Sequence, residues 1–168
     1  MEYGTLIFLH VFFGLFWAGA AVATGLFILP AVLEAGPAGG AVMAGVAKRR
    51  FPLIMTGAGI LVVLTGLRMF SLRFTPEWIR LPEGMVLAVG GLLAIVALIV
   101  GVTVQKPAAE RLGTLAGRIA ASGAPPTAAQ LAEMQTYRSR LVMGGRLTAG
   151  LLIGTAALMA VHRLAALL

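Results

Sequence analysis

Two histidines are the only imidazoles in the chain, and each lies in an apolar run: His10 in LHVFFGLFWAG (Leu9–Gly19) and His162 in LMAVHR (Leu158–Arg163). An ionisable group inside a membrane helix is costly to keep, so it either works or reaches the interface. His10 falls six residues after Gly4, about 9 Å along a helix. His162 falls six residues before the end of the chain. If their helices run in opposite directions, both imidazoles lie at a similar depth. Neutral imidazole ligates haem iron and copper. Two of them on antiparallel helices could hold one haem b. Gly14 and Trp17, at i+4 and i+7, share the face of His10. The glycine would leave room for a flat macrocycle and the indole could pack on it. Thr155, Leu158 and Met159 share the face of His162, and the Met159 thioether would suit copper. Arg68, near the end of the second apolar run, could pair with a propionate. Glu83 follows Pro82 and fits two roles, a helix-start carboxylate or a proton relay. The structural alternatives are a hydrogen bond from His10 to a neighbouring carbonyl and a headgroup position for His162.

These residues need elements to carry them, and the composition says which. The 168 residues are 60% hydrophobic and 11% charged, against about 25% charged in a soluble domain. So much apolar surface requires lipid as solvent. Cysteine is absent, which excludes disulfides, thiolate metal sites and thiol catalysis. Aspartate is absent too, removing the commonest carboxylate of catalytic dyads and Mg²⁺ sites. The net charge is +7, but the basic residues flank apolar runs, which points to membrane topology and anionic lipid instead of nucleic acid. There is no P-loop, no nucleophile elbow and no dinucleotide-binding glycine motif.

Four runs are long enough to cross about 30 Å of hydrocarbon: residues 4–30, 51–70, 84–104 and 147–164. The expected fold is all-α, an integral membrane four-helix bundle forming a single domain. The first run has no basic residue before it and is too long for a signal-peptide core, so it is expected to be retained. EAGPAGG (Glu34–Gly40) breaks the chain after it. Trp78, in a short loop, suits an interfacial belt. The long loop 106–145 splits at Pro125-Pro126, and Thr127 with Gln130 forms a capping box that could start a helix running on into the fourth span. The first and third loops hold nine Lys and Arg against four elsewhere, which places them in the cytoplasm with both termini outside, and the Ala/Gly-rich composition makes a bacterial inner (plasma) membrane the expected address.

Small residues mark packing faces: Gly14, Ala18, Ala21 and Gly25 on the first span, Gly57 on the second, Gly90 and Gly91 on the third, Gly150 and Gly154 on the fourth. They would serve a compact bundle, a homo-oligomer or docking to membrane-protein partners. Two function classes follow. One is a small haem-binding or redox-active membrane protein. The other is a non-catalytic accessory subunit of a larger membrane complex, for example one of electron transfer.

LHVFFGLFWAG resembles the first-helix pattern LHxxxxxxWxG of CopD-like copper-resistance membrane proteins, of HemJ-type protoporphyrinogen oxidases and of a related group of four-helix membrane proteins. RRFPLIMTGAGILVVLTGLRMF (Arg49–Phe70) resembles their second helix, with Thr65-Gly66 as the closing Thr-Gly pair. LMAVHR is similar to the closing helix of the third group. Together the segments cover about half the chain. The resemblance implies a four-helix bundle in which His10 is a haem or metal ligand. The chain departs from the HemJ pattern in the third helix, where Glu83 and MVLAVGG stand in place of an early lysine. It has no Met- or His-rich stretch for copper transport.

Overall fold

The computed structural model describes the backbone of residues 1–165 and the side chains through His162 other than Pro37. The side chain of Arg163, counted above for orientation, lies outside the described residues. The described chain is all-α. Five helices follow in order: α1 Glu2–Glu34, α2 Pro37–Lys48, α3 Phe51–Arg73, α4 Pro82–Ser122 and α5 Ala128–Ala165, with one short 3₁₀ turn at Trp78–Arg80. Four of them, all but α2, are long and apolar enough to cross a membrane.

Chain chemistry sets the ends. Gly36 takes φ 59°, a left-handed conformation cheap only for glycine, and Pro37 opens α2 with its pre-set φ. Gly123 closes α4 at φ 65°. The capping box forms as its residue types imply. Thr127 N–H donates to Gln130 Oε1 at 2.8 Å and Gln130 N–H donates to Thr127 Oγ1 at 3.3 Å. From there α5 continues unbroken through the fourth apolar run. The loop 106–145 is thus helical apart from 123–127. At about 1.5 Å per residue, the 41 residues of α4 reach about 60 Å, twice the hydrocarbon thickness. The second half of α4 and the first half of α5 therefore project as a helical hairpin beyond the apolar runs.

The apolar faces do not all turn inward. Phe8, Phe12, Leu15, Phe27, Leu53 and Leu92 are exposed, as lipid-facing positions must be. The core is small and built from short side chains. Trp17, Ala58, Val62, Ala94, Ala97 and Leu152 form its main cluster. A second cluster, Leu29, Ala108 and Leu141, lies toward the hairpin. The most extensive packing is α4 on α5 and α1 on α3, with α1 on α5 joining the two pairs. The α1–α5 contact is close. A β-carbon on Gly25 would come 2.5 Å from the carbonyl oxygen of Gly145. With little hydrophobic force between helices in lipid, such backbone approach is a main source of attraction.

Two of the helices carry one turn each of wider, i→i+5 winding. Leu29 N–H donates to the Thr24 carbonyl, and Lys106 N–H to the Gly101 carbonyl. Both turns pack on the same spot of α5. Gly25 lies on Gly145, and the Gln105 side chain lies over Gly144 while its Nε2 donates to Thr148 Oγ1 at 2.7 Å. Thr148 is buried, so this bond satisfies a group that lipid would leave unpaired.

The small-residue faces read from sequence separate into two kinds. Ala18 and Ala21 pack on the main cluster, Gly25 on Gly145, Gly90 against Leu158 and Met159, and Gly154 against Leu93. Gly14, Gly57, Gly91 and Gly150 have open space where a β-carbon would go.

Candidate functional site

His10 is half-buried and turned from α1 onto α3. Its Nδ1 lies 2.9 Å from the Val62 carbonyl oxygen and 3.2 Å from Thr65 Oγ1. A carbonyl oxygen only accepts, so Nδ1 carries the proton and donates it. Thr65 Oγ1 can accept the same proton, since its own hydrogen goes to the Leu61 carbonyl at 2.7 Å. In the neutral ring the lone pair is then on Nε2, and among the described residues nothing donates a hydrogen bond to it. Gly66 makes the seat. A β-carbon there would lie 2.9 Å from His10 Cε1, so a larger residue would crowd the ring in this position on α3.

Trp17 stands two turns further along α1. It is 5% exposed, and its ring lies over Gly59 of α3. The indole is therefore a core anchor between α1 and α3, with Ala58 and Val62 beside it. Between the two side chains, Gly14 is open. His10 and Trp17 thus use the same helix face as the spacing implies. A β-carbon at Gly14 would meet nothing within 4 Å, while Trp17 is committed to protein packing.

His162 holds its ring against its own helix, with Nδ1 2.6 Å from the Met159 carbonyl oxygen. That carbonyl also takes a proton from Nδ1, so the neutral ring again keeps its lone pair on Nε2. Helices α1 and α5 are antiparallel, since Gly25 meets Gly145 while Trp17 shares a cluster with Leu152. Continued upward, that register sets His162 within about two residues of the level of His10, about 3 Å of helix rise. The rings nevertheless engage different neighbours. His10 binds α3. The turn carrying His162 packs toward α4, where Met159 lies along Gly90 and Thr155 Oγ1 donates to the Gly90 carbonyl at 3.2 Å. No hydrogen bond joins the two imidazoles among the described residues.

Each of the two charged candidates, Arg68 and Glu83, is in an ion pair with another residue. Arg68 donates from Nε and Nη2 to Glu2 Oε1, at 3.0 and 2.8 Å, and so ties α3 to the start of α1. Both side chains are more than half exposed, and the remaining guanidinium N–H groups are free for a further anion. Glu83 pairs with Arg73 at 3.2 Å, and Arg73 also lies over the Trp78 ring, 5.7 Å from its centre. Glu83 is accordingly a helix-start carboxylate in an ion pair. Trp78 packs edge-on against Phe70, with the ring centres 5.4 Å apart.

Sequence alone assigns no role to Val62, Gly59 and Glu2, and shows Thr65-Gly66 only as a motif. A Thr followed by Gly in an apolar helix, opposite a histidine, is the signal that finds the seat.

His10 has one imidazole nitrogen, Nε2, without a hydrogen-bond partner among the described residues. The imidazole is oriented by a carbonyl bond on Nδ1, as metal-ligating histidines usually are, and Nε2 is bare. Among the described residues no group of three His, Cys, Asp or Glu side chains is arranged to hold a metal ion. No model of a known family, no curated protein and no solved structure matches the chain.

Proposed function

We propose that this multi-pass membrane protein is a small haem-binding or redox-active four-helix bundle in which His10 offers Nε2 as an axial nitrogen. One observation carries the reading. The two segments that resemble the CopD-like and HemJ-type helices meet in space, His10 resting on Thr65-Gly66 and Trp17 on Gly59. Val62 fixes the ring orientation and Thr65 supports it. The gap at Gly14 leaves the neighbouring surface clear for a flat ligand. Arg68, beside the same membrane face, can share its guanidinium between Glu2 and a propionate. A bound haem b would supply one-electron transfer. His162 lies at the matching depth and is the candidate second ligand. Copper is the lesser alternative, because Met159 is used against Gly90. The distribution of Lys and Arg supports both termini outside and the basic hairpin inside, and the Ala/Gly-rich composition supports a bacterial inner membrane as the address.

A second reading has its own support. Gly14, Gly57, Gly91 and Gly150 present small, open helix surfaces to which another membrane protein, or a second copy, could pack as an accessory assembly. An absorption spectrum of the protein purified in mild detergent, oxidised and reduced, separates the two. A Soret band that is lost in His10→Ala and kept in Trp17→Phe supports the axial-ligand reading. A colourless protein that takes up no added haem and co-purifies stoichiometrically with membrane partners supports the accessory reading. Colour that survives His10→Ala refutes the assignment of the ligand.

A further inference from the structure

The hairpin formed by the second half of α4 and the first half of α5 carries a surface cleft of about 440 Å³ where the helices leave the apolar zone. Its lower lip is Thr103, Val104 and Pro107. Its upper lip is Arg111, Tyr137 and Arg140. Two guanidiniums line it and no carboxylate does. Among the described residues neither Arg111 nor Arg140 is in an ion pair. The adjoining upper cleft differs. It adds Arg118 but also Glu110 and Glu133, so its charges balance. Tyr137 donates its hydroxyl to Glu133 Oε1 at 3.0 Å, which engages that carboxylate above the lower cleft.

Depth narrows the occupant. The apolar run of α4 ends at Val104. Arg111 lies seven residues further on, about 10 Å of rise, and Ala108 of α4 packs beside Leu141, next to Arg140. A bilayer's headgroup zone adds about 5–7 Å on each side of the hydrocarbon. Both arginine backbones therefore stand just past that zone, and their long side chains can reach back to the lipid phosphates, above an apolar lip that acyl chains can follow. Arginine is well suited to this task because its planar fork donates two N–H groups to one phosphate.

We propose that this cleft is a binding site for an anionic phospholipid, with Arg111 and Arg140 on the phosphate oxygens and the acyl chains passing down over Thr103 and Val104. The site is independent of the His10 reading. It requires a phosphate group on a lipid, and inorganic phosphate is the alternative source of the same chemistry.

The test is native mass spectrometry of the full chain in mild detergent with equal amounts of dioleoyl phosphatidylglycerol and dioleoyl phosphatidylcholine. The wild type is expected to retain one phosphatidylglycerol preferentially. Arg111→Ala/Arg140→Ala should bind it about thirtyfold more weakly, about fivefold for each basic group lost at a membrane surface. Arg118→Ala, in the charge-balanced upper cleft, should retain it. Arg111→Lys/Arg140→Lys keeps the charge and should fall between wild type and the alanine pair, which separates loss of the site from loss of the fold. Equal retention by the double alanine variant overturns the proposal. So does equal loss in Arg118→Ala, or displacement of the lipid by about millimolar inorganic phosphate.

Discussion

The contact of Gly25 with Gly145 makes a sharp prediction, because Gly14 on the same helix provides its own control. A β-carbon at Gly25 would lie 2.5 Å from the Gly145 carbonyl oxygen and 2.8 Å from its carbonyl carbon. Both are backbone atoms and cannot rotate away. Restoring ordinary contact, from about 3.4 Å, means parting α1 and α5 by about 0.9 Å. A gap of that size forfeits about a quarter to a half of the dispersion energy across the interface. Overpacked sites of this kind lose about 1–3 kcal/mol, and replacing a helical glycine by alanine returns up to about 1 kcal/mol. Gly25→Ala should therefore destabilise by about 1–2 kcal/mol. Gly14→Ala meets nothing within 4 Å and should be neutral or stabilising by up to about 1 kcal/mol. The assay is SDS-driven unfolding of the detergent-solubilised protein followed by tryptophan emission, for which Trp17, in the core two turns from Gly25, is the reporter. If Gly25→Ala unfolds at the wild-type midpoint, or Gly14→Ala falls by as much, the close α1–α5 crossing is refuted.

Three further substitutions probe the other contacts. Gly66→Val should displace the His10 ring from α3, and a haem-loaded form should show a weakened or shifted Soret band; an unchanged spectrum would separate the ligand from this seat. Gln105→Leu leaves the buried Thr148 hydroxyl without its α4 partner and should cost about 1 kcal/mol in the same unfolding assay, in line with interhelical hydrogen bonds in lipid. Glu2→Gln removes an exposed ion pair, so its effect should stay below about 0.5 kcal/mol and shrink further as salt is raised. A large, salt-independent loss would mean that the Glu2–Arg68 pair does more than tie two helix ends.

Much of the architecture is legible in the chain. Apolar run lengths and the absence of intervening charge specify four membrane-length helices, because a backbone in lipid can satisfy its hydrogen bonds only within a helix or a closed barrel. The Thr127–Gln130 box marks the start of α5, and EAGPAGG and Pro125-Pro126 mark breaks between helices, since these residues have local conformational or bonding requirements, while the φ 65° end at Gly123 is seen only in the fold. The packing glycines are not distinguishable from sequence alone. Gly90 and Gly91 differ by only 100° around one helix, yet one meets Met159 and the other meets nothing. In a helix apolar all round, periodicity carries no phase, so sequence cannot say which side meets protein and which meets lipid.

The same limit governs the candidate site. Sequence placed His10, Gly14 and Trp17 on one face of one helix and gave the two histidines a common depth, because both follow from helix rise and rotation alone. What stands opposite that face is a long-range fact. Only the tertiary structure put Val62, Thr65 and Gly66 under the His10 ring, sent Trp17 into the core at Gly59, and joined Arg68 to Glu2. Only it folded the basic 106–145 segment into a hairpin that brings Arg111 beside Arg140. Each of these contacts is set by how two helices rotate and slide against each other, and that is decided by small gaps between backbones that no single helix encodes.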